Sequence, residues 1–167
     1  GRTRSIMGAE SLRSAGVPNR VVALRNGTMG WELAGFTCDR GRTASYEPGT
    51  PRSLATAQAR ARDFAARNGV RPIDAAGLRA LLADTARTTY LLDVRDPAEF
   101  AAGHIAGSLS APGGQLVQAT DTWIAVRGAR AVLVDGAAFD PATDGVRARM
   151  AGGWLRQLGG WDVFVLE

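Results

Sequence analysis

The chain has 167 residues, a hydrophobic share of 46% and a formal net charge of +4, which fits one domain or one domain with part of a neighbour. Its single cysteine (Cys38) and single histidine (His104) exclude an internal disulfide and any metal site built from several such residues. No apolar run approaches the ~20 residues of a membrane helix, and the arginines lie scattered among acidic residues, so we expect a cytoplasmic protein with neither membrane nor nucleic acid as partner.

The first 36 residues predict one helix and one strand between loops. Residues 1–5 (Gly-Arg-Thr-Arg-Ser) are interpreted as a loop that leads into a helix over 5–15, which Gly16 ends. Residues 21–24 are consecutive apolar residues and predict a buried strand. Glycines then interrupt the chain over 27–35.

Residues 37–69 are predicted to be a linker followed by a helix. Glycine and proline are frequent over 37–52, which indicates a loop. Ser53 is predicted to cap the helix and Gly69 to end it.

From residue 70 onward, apolar strands alternate with helices. The predicted strands are 72–73, 90–94, 131–134 and 163–166. The predicted helices begin at Asp74 and Asp96 and cover 116–125 and 144–158. Such alternation predicts an α/β fold, in which helices flank a parallel sheet on both faces.

A helix and the strand after it occur twice along the chain. Residues 150–156 (Met-Ala-Gly-Gly-Trp-Leu-Arg) parallel residues 7–13, Gly159 parallels Gly16, and Arg147 parallels Arg4. The repeat predicts tandem modules: 1–36 is the C-terminal half of one module and 70–167 is a second module. We therefore expect the chain to be a fragment of a longer polypeptide, with the N-terminal part of the first module as the partner of 1–36.

Two regions of the chain, residues 70–167 and 1–36, resemble the rhodanese-like (thiosulfate sulfurtransferase) family. Residues 91–100 (Leu-Leu-Asp-Val-Arg-Asp-Pro-Ala-Glu-Phe) and 103–108 (Gly-His-Ile-Ala-Gly-Ser) are similar to the family's first signature. Residues 1–5 resemble the loop that follows the family's nucleophilic cysteine, and residues 27–35 its closing glycine-tryptophan segment.

The resemblance implies transfer of sulfane sulfur from a small anionic donor, such as thiosulfate, to cyanide or a thiol through a cysteine persulfide. The cysteine would lie just before Gly1, and no cofactor or metal is implied. The loop Gly1, Arg2, Thr3, Arg4, Ser5 would bind the anion: curled backbone N–H groups favour negative charge, Arg2 and Arg4 add charged donors, and Ser5 could reach the persulfide.

The second module departs from this pattern. Its corresponding loop, residues 134–147, contains no cysteine. Either Asp135 or Asp144 is expected to pair with Arg147 or Arg149 and fill the anion pocket from within, and Gly145 belongs to the same vestigial loop. The second module is therefore predicted to be catalytically silent, which leaves a non-catalytic rhodanese-like binding module as the alternative function.

Four residues have competing interpretations. Asp93 and Arg95 either pair to orient the end of their strand or contact substrate. His104 is expected to belong to a structural turn rather than to a catalytic triad with Ser108 and Asp93. Cys38 is expected to be a structural or partly exposed thiol.

Overall fold

A computed structural model describes residues 2–43, 49–139 and 145–167. Within these ranges the helices are α1 (Arg2–Ser14), α2 (Gly27–Leu33), α3 (Pro51–Arg67), α4 (Ala75–Ala83), α5 (Pro97–Ala102), α6 (Gly113–Gln118) and α7 (Val146–Leu158). The strands are β1 (Arg71–Ile73), β2 (Thr89–Asp93), β3 (Leu109–Ser110), β4 (Arg130–Val134) and β5 (Asp162–Leu166). The chain divides into two compact units, Gly1–Thr56 and Ala57–Glu167, and the division falls within α3. None of the helices in the described ranges is long and apolar enough to cross a bilayer.

The first unit departs from the sequence prediction at three places. Residues 2–5, predicted as a loop, form the first turn of α1, and residues 27–33, predicted as an interruption, form α2. Residues 21–24 are not a strand, and Val22 is 65% exposed. A strand requires a hydrogen-bonded neighbour, and the described part of this unit places none beside 21–24. The Arg13 guanidinium donates to the Val21 carbonyl oxygen instead, at 2.7 Å.

The second unit is built on a five-stranded parallel sheet with strand order β1-β5-β4-β2-β3. Neighbouring residues of its central strands face opposite sides. Leu92, Leu133 and Val165 belong to one buried cluster, which includes residues of α6 and α7, whereas Leu91, Val132 and Phe164 belong to another, which includes Leu78 of α4. The predicted parallel sheet with helices on both faces is confirmed.

Helix starts in both units follow local capping groups. The Asp74 carboxylate accepts a hydrogen bond from the Gly77 N–H at 2.7 Å, as predicted. Thr50 rather than Ser53 precedes α3, because the Thr50 hydroxyl accepts from the Ser53 N–H and Pro51 occupies the first helical position.

The helix predicted over 116–125 begins and ends earlier in the structure, so both predicted bounds are wrong. α6 begins at Gly113 and ends at Gln118, and a 3₁₀ turn (Thr120–Thr122) follows it. The Thr120 hydroxyl donates to the Leu116 carbonyl oxygen at 2.9 Å, so a side chain takes the place of a helical backbone donor there.

Candidate functional site

The signature residues of the second unit gather at the carboxyl edge of its sheet. Asp93 is the last residue of β2, and Asp135 directly follows the adjacent strand β4. Parallel strands all end at the same edge, which is where open α/β sheets bind ligands. Two arginines, Arg95 and Arg147, reach these carboxylates.

Asp93 and Arg95 form a closed pair. The Arg95 Nε lies 2.9 Å from Asp93 Oδ1 and its terminal nitrogen lies 2.6 Å from Oδ2, so the contact is bidentate. The same terminal nitrogen donates to the Gly103 carbonyl oxygen at 2.7 Å. These hydrogen bonds to Asp93 raise the pKa of the Arg95 guanidinium. The two side chains thus pair, which is one of the two interpretations left open, and the pair ties the end of β2 to the residue that follows α5.

Phe139 covers the outer face of this pair. Its ring centroid lies 4.1 Å from the Arg95 guanidinium carbon, a cation–π contact. Asp93 is fully buried and Arg95 is 8% exposed, whereas Phe139 is 46% exposed. An aromatic side chain thus separates the arginine from solvent.

His104 lies in the segment between α5 and the turn at 106–107, and it takes no part in a triad. Its ring stacks on Phe100 with centroids 3.9 Å apart, and its Nδ1 lies 3.0 Å from the Phe100 carbonyl oxygen. The Ser108 hydroxyl donates to the Ile105 carbonyl oxygen at 2.7 Å, and the Asp93 carboxylate is bound to Arg95. The contacts of His104 are therefore structural and lie beside that turn.

Asp135 is an anion held inside the loop that follows β4. Its carboxylate is 1% exposed and accepts from the Gly136 N–H (2.7 Å), the Ala148 N–H (3.1 Å) and the Arg147 Nε (3.0 Å). Gly145, with a φ of 58°, precedes α7, so the Ala148 amide belongs to the first turn of that helix. Of the pairings that the sequence left open, the structure shows that of Asp135 with Arg147.

Arg149, another residue of the predicted set, pairs with a carboxylate at the C-terminal end of the chain. The Arg149 guanidinium donates to the Glu167 carboxylate at 2.6 Å. Asp144 lies outside the described residues.

Glu99 is the site residue that sequence reasoning missed. Its carboxylate binds the outer two nitrogens of Arg147, at 2.6 and 3.0 Å, and also accepts from the Asp96 N–H at 2.9 Å. Hydrogen bonding to Arg147 lowers the pKa of Glu99 to about 2, and the same interaction raises the pKa of Arg147. The spacing of Asp96 and Glu99 indicates a helix cap from sequence, but nothing in the sequence indicates a partner 48 residues away.

The N-terminal loop predicted over residues 1–5 is helical over residues 2–5, the part that the structure describes. Gly1 lies outside the described residues, and Arg2 already belongs to α1. Thr3 and Arg4 are exposed and Ser5 is partly buried within the same helical turn. Arginine favours a helix, and threonine and serine oppose one only weakly, which is consistent with the earlier helix start.

Cys38, the single cysteine of the chain, is partly buried. Burial is the main cause that raises the pKa of its thiol. The described ranges hold no group of three or more side chains suited to bind a metal ion.

Comparison with known proteins gives matches at the level of family and structure. The sequence-family model named rhodanese-like domain matches residues 74–167 of this chain. Thiosulfate sulfurtransferase from Pseudomonas aeruginosa is 53% identical, with a TM-score of 0.90, and the alignment covers 100% of this chain and 30% of that chain. The present chain therefore spans less than a third of that protein.

A second solved structure is more distant. It is a protein of unknown function and possible tyrosine phosphatase from Rhodopseudomonas palustris, 18% identical with a TM-score of 0.48, covering 74% of this chain and 89% of that one. Comparison with curated proteins gave no match.

Proposed function

The chain belongs to the rhodanese-like family, and from that premise we propose that it is part of a tandem-module sulfurtransferase. The polypeptide moves sulfane sulfur from thiosulfate, or a similar small anion, to cyanide or a thiol in the cytoplasm. The observation that carries this proposal is 53% identity over the whole chain to a thiosulfate sulfurtransferase.

The proposed nucleophile is a cysteine thiolate immediately upstream of Gly1. The thiolate attacks the outer sulfur of thiosulfate, the bond between the two sulfur atoms breaks, and sulfite leaves with the electron pair. The resulting persulfide gives the same sulfur to cyanide or a thiolate and regenerates the cysteine thiolate. Charge and atoms balance, and neither step requires a cofactor.

The start of α1 supplies what this reaction needs electrostatically. The first backbone N–H groups of a helix have no partner within the helix and favour a nearby anion. Arg4 lies in this turn and adds positive charge beside it. In this proposal Gly1 to Ser5 are the donor-binding segment, with a helical rather than a looped backbone over Arg2–Ser5.

The proposed role of the second module is structural or regulatory. At the place where its β4 strand ends, a buried carboxylate (Asp135) already occupies the Gly136 and Ala148 N–H groups, and Phe139 covers Arg95. A carboxylate cannot form a persulfide, so this module is silent in sulfur transfer.

The tandem arrangement is supported by a comparison between the two repeats. In the second unit Leu155 and Val165 are 0% and 2% exposed, because they pack within the core beside the sheet. Their counterparts in the first repeat, Leu12 and Val22, are 49% and 65% exposed. We propose that the N-terminal part of the first module packs on this face and pairs with residues 21–24 as a strand.

A non-catalytic binding module is the second candidate function. The observation that favours it is the cysteine-free loop, in which Asp135 rather than a thiol receives the Gly136 and Ala148 amides. In that case the residue upstream of Gly1 is not a cysteine, and the scaffold serves recognition only.

The decisive experiment is a thiosulfate:cyanide transfer assay on a longer polypeptide that includes the segment upstream of Gly1. The upstream cysteine, its serine substitution and the second unit alone (57–167) are compared. The second unit begins at residue 57 because Phe64 and Ala65 of α3 belong to its buried residues.

We expect turnover from the longer polypeptide, and a one-sulfur mass increase on its cysteine. The serine variant and residues 57–167 should be inactive. Absence of an upstream cysteine, or equal activity in the serine variant, contradicts the enzyme and favours the binding module.

A further inference from the structure

Arg147 divides its guanidinium between two carboxylates of different kinds. Its Nε and Nη2 each lie 3.0 Å from the buried Asp135 carboxylate, whereas its two terminal nitrogens, Nη1 and Nη2, face Glu99, which is 40% exposed. The inner contact is fixed within the protein, and the outer one lies at the solvent boundary.

We propose that the outer fork of Arg147 is an oxyanion subsite with Glu99 as its resident ligand, and that a divalent sulfur oxyanion, thiosulfate or sulfite, exchanges with that carboxylate. The choice of ligand rests on the proposed function, in which thiosulfate is the donor and sulfite the leaving group. The existence of the subsite rests on the geometry around Arg147 alone.

Arg147 is pre-positioned for such a ligand. Asp135 holds its Nε at 3.0 Å, and Asp135 is itself held by the Gly136 and Ala148 amides. The guanidinium plane therefore keeps its orientation when Glu99 leaves, and an incoming anion does not have to order a flexible side chain. Planar forks of this kind bind oxyanions through two parallel hydrogen bonds.

Glu99 is suited to be displaced. An ion pair whose two side chains are each two-fifths exposed is screened by salt, so its net strength is modest and an added anion can compete with it. The amide of Asp96, which Glu99 also accepts from, lies at an exposed helix start where water can replace the carboxylate. A divalent anion brings twice the charge of the carboxylate to the same guanidinium.

The test is calorimetric titration of the full chain with sodium thiosulfate, sodium sulfite and sodium sulfate at constant ionic strength. The key variant is Glu99→Gln, which keeps an acceptor for the Asp96 amide but removes the competing charge. Glu32→Gln is the matched control, because Glu32 also pairs with an arginine (Arg40, 2.7 Å) on an exposed surface. The double variant Glu99→Gln/Arg147→Lys keeps the positive charge beside Asp135 but removes the fork.

We expect Glu99→Gln to bind thiosulfate about tenfold more tightly than the unmodified chain, because an intramolecular competitor is gone. Glu32→Gln should match the unmodified chain, and the double variant should lose the gain. Equal binding of sulfate supports the oxyanion subsite and shows that it recognises charge and fork geometry rather than sulfane sulfur.

Two results overturn the inference: Glu99→Gln binds no more tightly than the unmodified chain, or the double variant binds as tightly as Glu99→Gln. Thermal unfolding of each variant identifies any loss of fold. Absence of sulfur transfer in the longer polypeptide refutes the proposed function but leaves these titrations unchanged, so the two failures are distinguishable.

Discussion

Gly153, in the middle of α7, is predicted to be intolerant of even one added carbon. An alanine Cβ at this position would lie 2.6 Å from Cδ1 and 3.1 Å from Cζ of Phe64, and closer still to Cε1. Phe64 is 2% exposed and its ring centroid is 5.9 Å from that of Trp154, so the ring has little room to withdraw.

The expected magnitude follows from two opposing effects. Overpacking a well-filled core costs about 1–3 kcal/mol, and contact with three ring atoms favours the upper end of this range. Replacing glycine by alanine within a helix stabilises by about 1 kcal/mol. Gly153→Ala should therefore lower the free energy of unfolding by about 2 kcal/mol, which lowers the melting temperature by roughly 8 °C for a unit of this size.

Urea unfolding followed by circular dichroism measures this difference. Gly114→Ala is the matched control, because its Cβ would meet nothing within 4 Å and should not destabilise the protein. In a Phe64→Leu background the cost of Gly153→Ala should fall below about 1 kcal/mol, since the two sites are coupled. An unchanged stability of Gly153→Ala, or an equal cost in both backgrounds, would refute the reasoning.

Two further predictions concern the charged pairs at the carboxyl edge of the sheet. Arg95→Met leaves the fully buried Asp93 carboxylate without its partner and should destabilise the second unit by about 3–5 kcal/mol. The double variant Asp93→Asn/Arg95→Met should recover part of this loss. Equal stability of the single and double variants in urea would contradict the prediction. Glu99 has a pKa of about 2 beside Arg147 against an ordinary value of 4.5, so its contribution is complete above pH 5 and is lost as the pH falls towards 2. The difference in unfolding free energy between the unmodified chain and Glu99→Gln should therefore shrink from pH 6 to pH 3, and a constant difference would argue against the pair.

Local features of the sequence were sufficient for much of the second unit. Apolar runs identified its main strands, since strands covered on both faces carry few polar residues. The cap at Asp74 and the pairing of Asp93 with Arg95 involve residues two or three positions apart, so the local backbone conformation brings them together. The family signature over 91–108 lies in this same stretch.

Other features depended on the tertiary structure. Three contacts join residues that are far apart in sequence: Glu99 with Arg147, Phe139 with Arg95, and Phe64 with Trp154. These residues meet because the tertiary fold brings their elements together.

The segment 21–24 illustrates the reverse case. Its apolar composition resembles that of β5, yet it is not a strand, because β5 gains hydrogen bonds from β1 and β4 whereas 21–24 has no strand beside it in the described chain. Composition by itself determined which residues favour an extended, buried conformation. Whether they adopt it was decided by the neighbouring strands, since the hydrogen-bond ladder of a strand forms only with another strand beside it.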